Sequence, residues 1–171
     1  MHRCFTLLIP LALLALREPG NVPRPVHPPV GLGSLMDQLD AVLAVGDQDK
    51  IAQVCTRVLL ARPDNYRAQM VLAELHFTAQ DYRRSAGDYA RVLLTYPDDT
   101  DALSGAAWSA LYLGDRERAA ADLARLQQLA PGYPHSAQAR EIAAGRQHLP
   151  PPGQAQPPTA ALAGVYRPVQ K

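Results

Sequence analysis

Pro63, Pro97 and Pro131 recur at intervals of 34 residues, and this period constrains the fold more than any other feature of the chain. A repeat of 20–50 residues marks stacked units, each too small to bury a core alone. Other positions keep the same phase. Gly46-Asp47, Gln80-Asp81 and Gly114-Asp115 each lie 17 residues ahead of a proline. Ile51, Ser85 and Ala119 follow, then Cys55, Tyr89 and Leu123, then Val58, Val92 and Leu126. Within each unit these fall at i, i+4 and i+7, which is one face of a helix.

The first half of each unit is also helical. Leu103, Ala106, Ala107 and Ala110 share a face in the third unit, and Gln69, Leu72, Ala73 and His76 take the matching places in the second. The spacing predicts two short antiparallel helices per unit. The Gly or Gln of the turn ends the first helix, and the Asp after it suits the start of the second. The proline then blocks further helix. Asp64-Asn65 and Asp98-Asp99-Thr100-Asp101 are placed to cap the next first helix and to put negative charge at its positive end.

This pattern resembles the tetratricopeptide repeat family, with units at 32–65, 66–99 and 100–133. The family's small residue in the first helix matches Ala73 and Ala107, and its small residue opening the second matches Ser85 and Ala119. Its large place in the second helix matches Tyr89 and Leu123. The bulky aromatic early in the first helix is replaced by Leu35, Gln69 and Leu103. The first unit departs further, with Gln38 where leucine is usual and Leu39 where a small residue is usual. Its first helix is therefore expected to be short, shifted or splayed. Residues 134–146 read as a capping helix, centred on His135 to Ala144, with Ala137, Ile142 and Ala143 apolar; such arrays need a polar-backed helix over the exposed end. The resemblance implies an all-α solenoid.

The resemblance also implies a concave surface, lined by the first helices, that holds an extended peptide or a partner helix. The groove residues it assigns are Arg67, Met70, Glu74 and Phe77 in the second unit, and Ser104, Trp108, Leu111 and Tyr112 in the third. Met36, Asp40 and Leu43 are weaker equivalents in the first. Aromatics and methionine are favoured anchors of such sites. The opposing reading puts Trp108 on the capping helix as part of the core. The cationic clamp that some family members use for a terminal carboxylate is missing: those places hold Met70, Glu74, Ser104 and Trp108. If Phe77 and Met70 line an open groove, replacing them by Asp should weaken partner capture and leave helicity nearly intact.

Composition narrows the chemistry. Residues 32–146 carry 12 Lys and Arg against 15 Asp and Glu, so there is no basic stripe for nucleic acid. Aromatics are 6%, so Ala, Leu and Val must build the core. Among five histidines no two stand at i, i+4, and none has metal-ligand spacing with Cys or carboxylate. Only His76 sits well inside a repeat, where packing or hydrogen bonding is expected. Ser104 and Ser109 lack a base arrangement, and no phosphate loop is present. No catalytic residue, cofactor or metal is expected. Cys55 falls on an apolar helix face as a small buried hydrophobe.

The ends differ from the repeats. Met1-His2-Arg3 precedes an apolar run from Phe5 to Leu16, too short to span a bilayer but suited to an export signal over residues 1–17. Residues 18–31 form a Pro-rich linker, and 147–171 a Pro-rich tail, expected to be extended or disordered and to act as a plain spacer. These features point to a non-catalytic scaffold or adaptor, exported to the periplasm or held at a membrane with weak help from the apolar run, and serving a secretion, pilus or export assembly. The alternative is a cytoplasmic three-repeat secretion chaperone.

Overall fold

A computed structural model describes residues 31–153 of the 171. The expected signal segment 1–17, the linker up to residue 30 and the tail beyond 153 lie outside the described residues. Seven helices follow in order: α1 (Leu32–Val45), α2 (Gln48–Ala61), α3 (Tyr66–Thr78), α4 (Tyr82–Thr95), α5 (Thr100–Tyr112), α6 (Arg116–Leu129) and α7 (Ser136–Ala143). No strand occurs among the described residues. The expected units are therefore the pairs α1–α2, α3–α4 and α5–α6.

The turns follow the chemistry of their residues. Gly46 and Gly114 take left-handed φ values of 78° and 79°. Gln80 does the same job at φ 61°, a conformation that costs a non-glycine residue energy. Asp47, Asp81 and Asp115 then cap α2, α4 and α6, each accepting from the backbone N–H three residues on. Asn65 and Asp99 cap α3 and α5 in the same way. The N-cap of α1 is Gly31, which has no side chain to offer.

Three apolar clusters run along the array, each tying a pair to its neighbour, as nearest-neighbour stacking requires. Leu35, Leu39 and Leu43 of α1 join Ile51, Cys55 and Val58 of α2 and Ala68 and Val71 of α3. Met70 and Ala73 of α3 meet Tyr89 and Val92 of α4 and Ala102 and Ala106 of α5. Phe77, Trp108, Leu123, Leu126, Ala139 and Ile142 fill the last. The small residues expected at helix contacts, Ala73, Ser85, Ala107 and Ala119, are completely buried. Ser85 Oγ donates to the Ala73 carbonyl at 2.9 Å, so its hydroxyl is satisfied in place. Cys55 is also fully buried, and burial pushes its thiol up to about 12.

Two expectations need correction. The first helix of unit one is not short: it runs 14 residues from Leu32. Leu39, in place of a small residue, is wholly buried and fills the space between α1 and its neighbours with its own bulk. In α7 the inward residues are Ser136, Ala139 and Ile142, while Ala137 is exposed. The helix starts one residue late, with His135, left-handed at φ 59°, as its N-cap.

Candidate partner-binding face

The first helices α3 and α5 lie side by side, and the eight expected groove residues fall on them. Six of the eight are buried: Met70, Glu74, Phe77, Ser104, Trp108 and Leu111 are each at most 4% exposed. Arg67 and Tyr112 are half-buried. The expected open stripe is therefore closed over these positions. Met70 faces Tyr89 and Val92 within the stack. Phe77, Trp108 and Leu111 pack in the cluster that α7 completes through Ala139 and Ile142. Trp108 thus takes the core role on the capping helix. Sequence spacing did not reveal this neighbour, because α7 comes from outside the period.

Buried polar groups lie among them. Arg67 of α3 donates to Asp40 of α1 and ties the first two pairs. Glu74 is 1% exposed, and its Oε1 has no hydrogen-bond partner among the described residues. Burial, with the nearby Asp101 carboxylate, pushes its carboxyl up to about 8, so Glu74 is mostly protonated at neutral pH. Tyr133, from the link between α6 and α7, donates to Asp101 and closes over Ser104. His76 Nδ1 meets Asp88 Oδ2 at 2.6 Å, joining α3 to α4, which is the hydrogen-bonding role expected of it. Asp88 also accepts from Arg91 one turn on. Among the described residues no three His, Cys, Asp or Glu side chains are grouped to hold a metal ion, and no helix is long and apolar enough to cross a membrane.

The most distinctive surface lies at the turn end of the second and third pairs. Phe77 ends α3, Tyr82 opens α4 and Tyr112 ends α5. The Tyr82 and Tyr112 rings stack with centroids 4.3 Å apart and planes 9° from parallel. Phe77 meets both edge-on, at 5.3 and 5.9 Å. Tyr82 went unmarked in the sequence because it belongs to a second helix, and the resemblance placed the groove on first helices only. The signal available was three aromatics beside turns in consecutive units.

The chain itself lies on this platform. After α7 it turns at Gly145 beside Arg116 of α6 and runs back to Gly153 beside Gln80. Between them Leu149 packs, half-buried, against the cluster of Phe77 and Trp108. The Tyr112 hydroxyl donates to the Pro150 carbonyl at 3.1 Å. The first residues of the tail are irregular, as their prolines require, but they are not a plain spacer. Leu149 gives them an apolar anchor, and the carbonyl of Pro150 gives them an acceptor.

No protein-family model and no curated protein matches the sequence. Solved structures do match the fold. A mutant of MamA, a tetratricopeptide-like protein, has a TM-score of 0.61 at 17% identity over 80% of this chain and 78% of that one. A second structure, MamA MSR-1 C2, gives 0.60 at 16% identity over 80% and 77%. A Thermobaculum terrenum O-GlcNAc transferase mutant gives 0.57 at 21% identity over 80% of this chain but only 26% of the transferase, so the likeness is to helix repeats alone. Three stacked helix pairs with a capping helix, and these neighbours, give the chain the all-α solenoid fold of tetratricopeptide-repeat proteins.

Proposed function

We propose that this chain is a non-catalytic adaptor that holds a protein partner through the turn end of its second and third helix pairs. The observation that carries this reading is the seat of residues 149–150 on Tyr112 and the Phe77 cluster. The platform holds an irregular stretch of chain by a side-chain hydrogen bond and an apolar anchor. That is how repeat arrays take up peptide segments: aromatic area supplies adhesion, and a polar group fixes register. The repeat fold of the MamA and transferase neighbours is consistent with a scaffold.

The finer reading is an exported adaptor serving a secretion, pilus or export assembly in the bacterial envelope. It rests on the short basic start and the apolar run Phe5 to Leu16. Fractionation followed by cross-linking and affinity capture of the full-length chain tests both levels. The adaptor reading expects a stoichiometric protein partner. A purified chain that turns over a substrate without any partner would overturn it. Full-length, uncleaved protein confined to the cytosol would sink export.

A further inference from the structure

We infer that the platform of Phe77, Tyr82 and Tyr112 is a binding site for a proline-rich segment of the Leu-Pro-Pro kind, occupied in this chain by its own Leu149 and Pro150, so that a partner of the same chemistry must displace the tail. This deepens the adaptor reading and rests on it.

Three observations carry it. First, the shape is suited to this ligand. Two stacked tyrosines over a buried phenylalanine make an aromatic surface that carries the two tyrosine hydroxyls. Proline-rich chains are already extended, offer carbonyl acceptors but few donors, and lose little entropy on docking. The hydroxyl of Tyr112 donates to one such carbonyl, on Pro150. Second, the two residues seated there, Leu149 and Pro150, open a run of this chemistry, Leu149-Pro150-Pro151-Pro152. Third, the cis contact is thin. Leu149 and Pro150 are only half-buried, and Pro151 and Pro152 are exposed. A segment held this way competes through tethering more than through contact. The few residues between Ile142, which is packed in the core, and Leu149 keep the tail near the seat at an effective concentration on the order of millimolar. A partner peptide therefore sees a site that is mostly taken, and its apparent affinity falls by the free fraction.

The test uses the full-length chain and a fluorescent peptide with the sequence of residues 147–158, read by anisotropy. A full-length variant carrying Leu149→Asp and Pro150→Gly frees the seat without touching the platform. It should bind the peptide about tenfold or more tighter than the unaltered chain. Adding Tyr112→Phe to that variant should weaken binding several-fold, and a peptide with its prolines replaced by alanine should not bind. Equal binding to the tail variant and the unaltered chain would overturn the proposal, as would equal binding of the alanine peptide. So would loss of helicity or of cooperative melting in the tail variant, since Leu149 would then be a structural part of the core. Dimerisation of the unaltered chain by tail exchange, seen by light scattering, would overturn occupation in cis. If the peptide fails while affinity capture still yields a stoichiometric partner, the adaptor reading stands and the proline inference alone falls.

Discussion

The ring of Tyr89 on α4 lies flat against the backbone of Gly105 on α5: a Cβ built on Gly105 would stand 2.2 Å from Tyr89 Cζ and within 2.5 Å of both neighbouring ring carbons. Tyr89 is fully buried, with Met70, Ala73, Val92 and Ala106 in the same cluster. The ring therefore has no free volume to move into. This contact sets how closely the second and third pairs stack.

Gly105→Ala is expected to destabilise the fold by about 1–3 kcal/mol, because overpacking in a dense core shifts rings or backbones. The gain in helix propensity, about 1 kcal/mol, offsets only part of this. Chemical denaturation with far-UV circular dichroism measures it. Gly87, on α4 with open space at its Cβ position, is the control: Gly87→Ala should be neutral or stabilising. If both variants shift the midpoint alike, the Tyr89 contact does not set the spacing.

The contact also shows where sequence reading succeeds and stops. The period placed the six helices of the three pairs, their turns and most of their caps, because those depend on local chemistry at fixed offsets: a left-handed residue, then an Asp, then a proline. Ala73, Ala107, Ser85 and Ala119 were identified as contact residues and are buried. Gly105 was not marked. A glycine inside a helix costs about 1 kcal/mol against alanine, and that cost was the available hint of a close packing partner. The burial of the expected groove residues was not legible for a different reason. Phe77, Trp108 and Leu111 share their cluster with Ala139 and Ile142 of α7, which lie dozens of residues away and outside the period. Periodicity reports which side of a helix faces its neighbours in the array, not what later chain folds back over the remaining side.

Asp99 carries two tasks, and its removal should show both. Its Oδ1 caps α5 through the Ala102 N–H at 2.7 Å, and its Oδ2 accepts from the Tyr66 hydroxyl at 2.9 Å. Asp47 caps α2 through Lys50 N at 3.1 Å in an exposed setting. Asp99→Ala should cost about 2–3 kcal/mol, the loss of a cap plus a half-buried hydroxyl left without its acceptor. Asp47→Ala should cost about 1 kcal/mol. Equal losses in parallel thermal melts would mean that the Tyr66 bond adds nothing.

Stability should fall as pH rises through the range in which Glu74 stays protonated in the fold but ionises in the unfolded chain. That window runs from the ordinary value of 4.5 to about 8. Below it both states hold the proton, and above it the folded carboxylate is charged and buried. The loss across the window is on the order of 3–5 kcal/mol at its upper bound. Asp122, also raised by burial, contributes in the same direction. Asp47 and Glu141 are lowered by hydrogen bonds from Lys50 and Arg146, so their effect is confined to more acid pH. Glu74→Gln should therefore flatten most of the slope between pH 5 and 8 and exceed the parent in stability at pH 8. Urea midpoints at three pH values decide it, and parallel curves for the two proteins would count against a protonated Glu74.

Met70→Asp and Phe77→Asp now carry the opposite expectation from an open groove. Each would place a carboxylate where the native side chain is 2% or 4% exposed. Met70 sits against the Tyr89–Gly105 contact, and Phe77 anchors the cluster that α7 closes. A carboxylate buried there must take up a proton, draw a distant partner inward, or pull its helix open. The expected cost is about 3–5 kcal/mol, a large share of the stability of a domain this size, with loss of helical signal at ordinary temperature. Tyr112→Phe, on the same face, removes only the hydroxyl that donates to Pro150 and should cost about 0.5–1 kcal/mol with helicity intact. The two classes separate core from seat on one face of the array. If Met70→Asp kept full helicity and melted within about 1 kcal/mol of the parent, that surface would be open to solvent, and the stripe of first-helix residues would again be available to a partner.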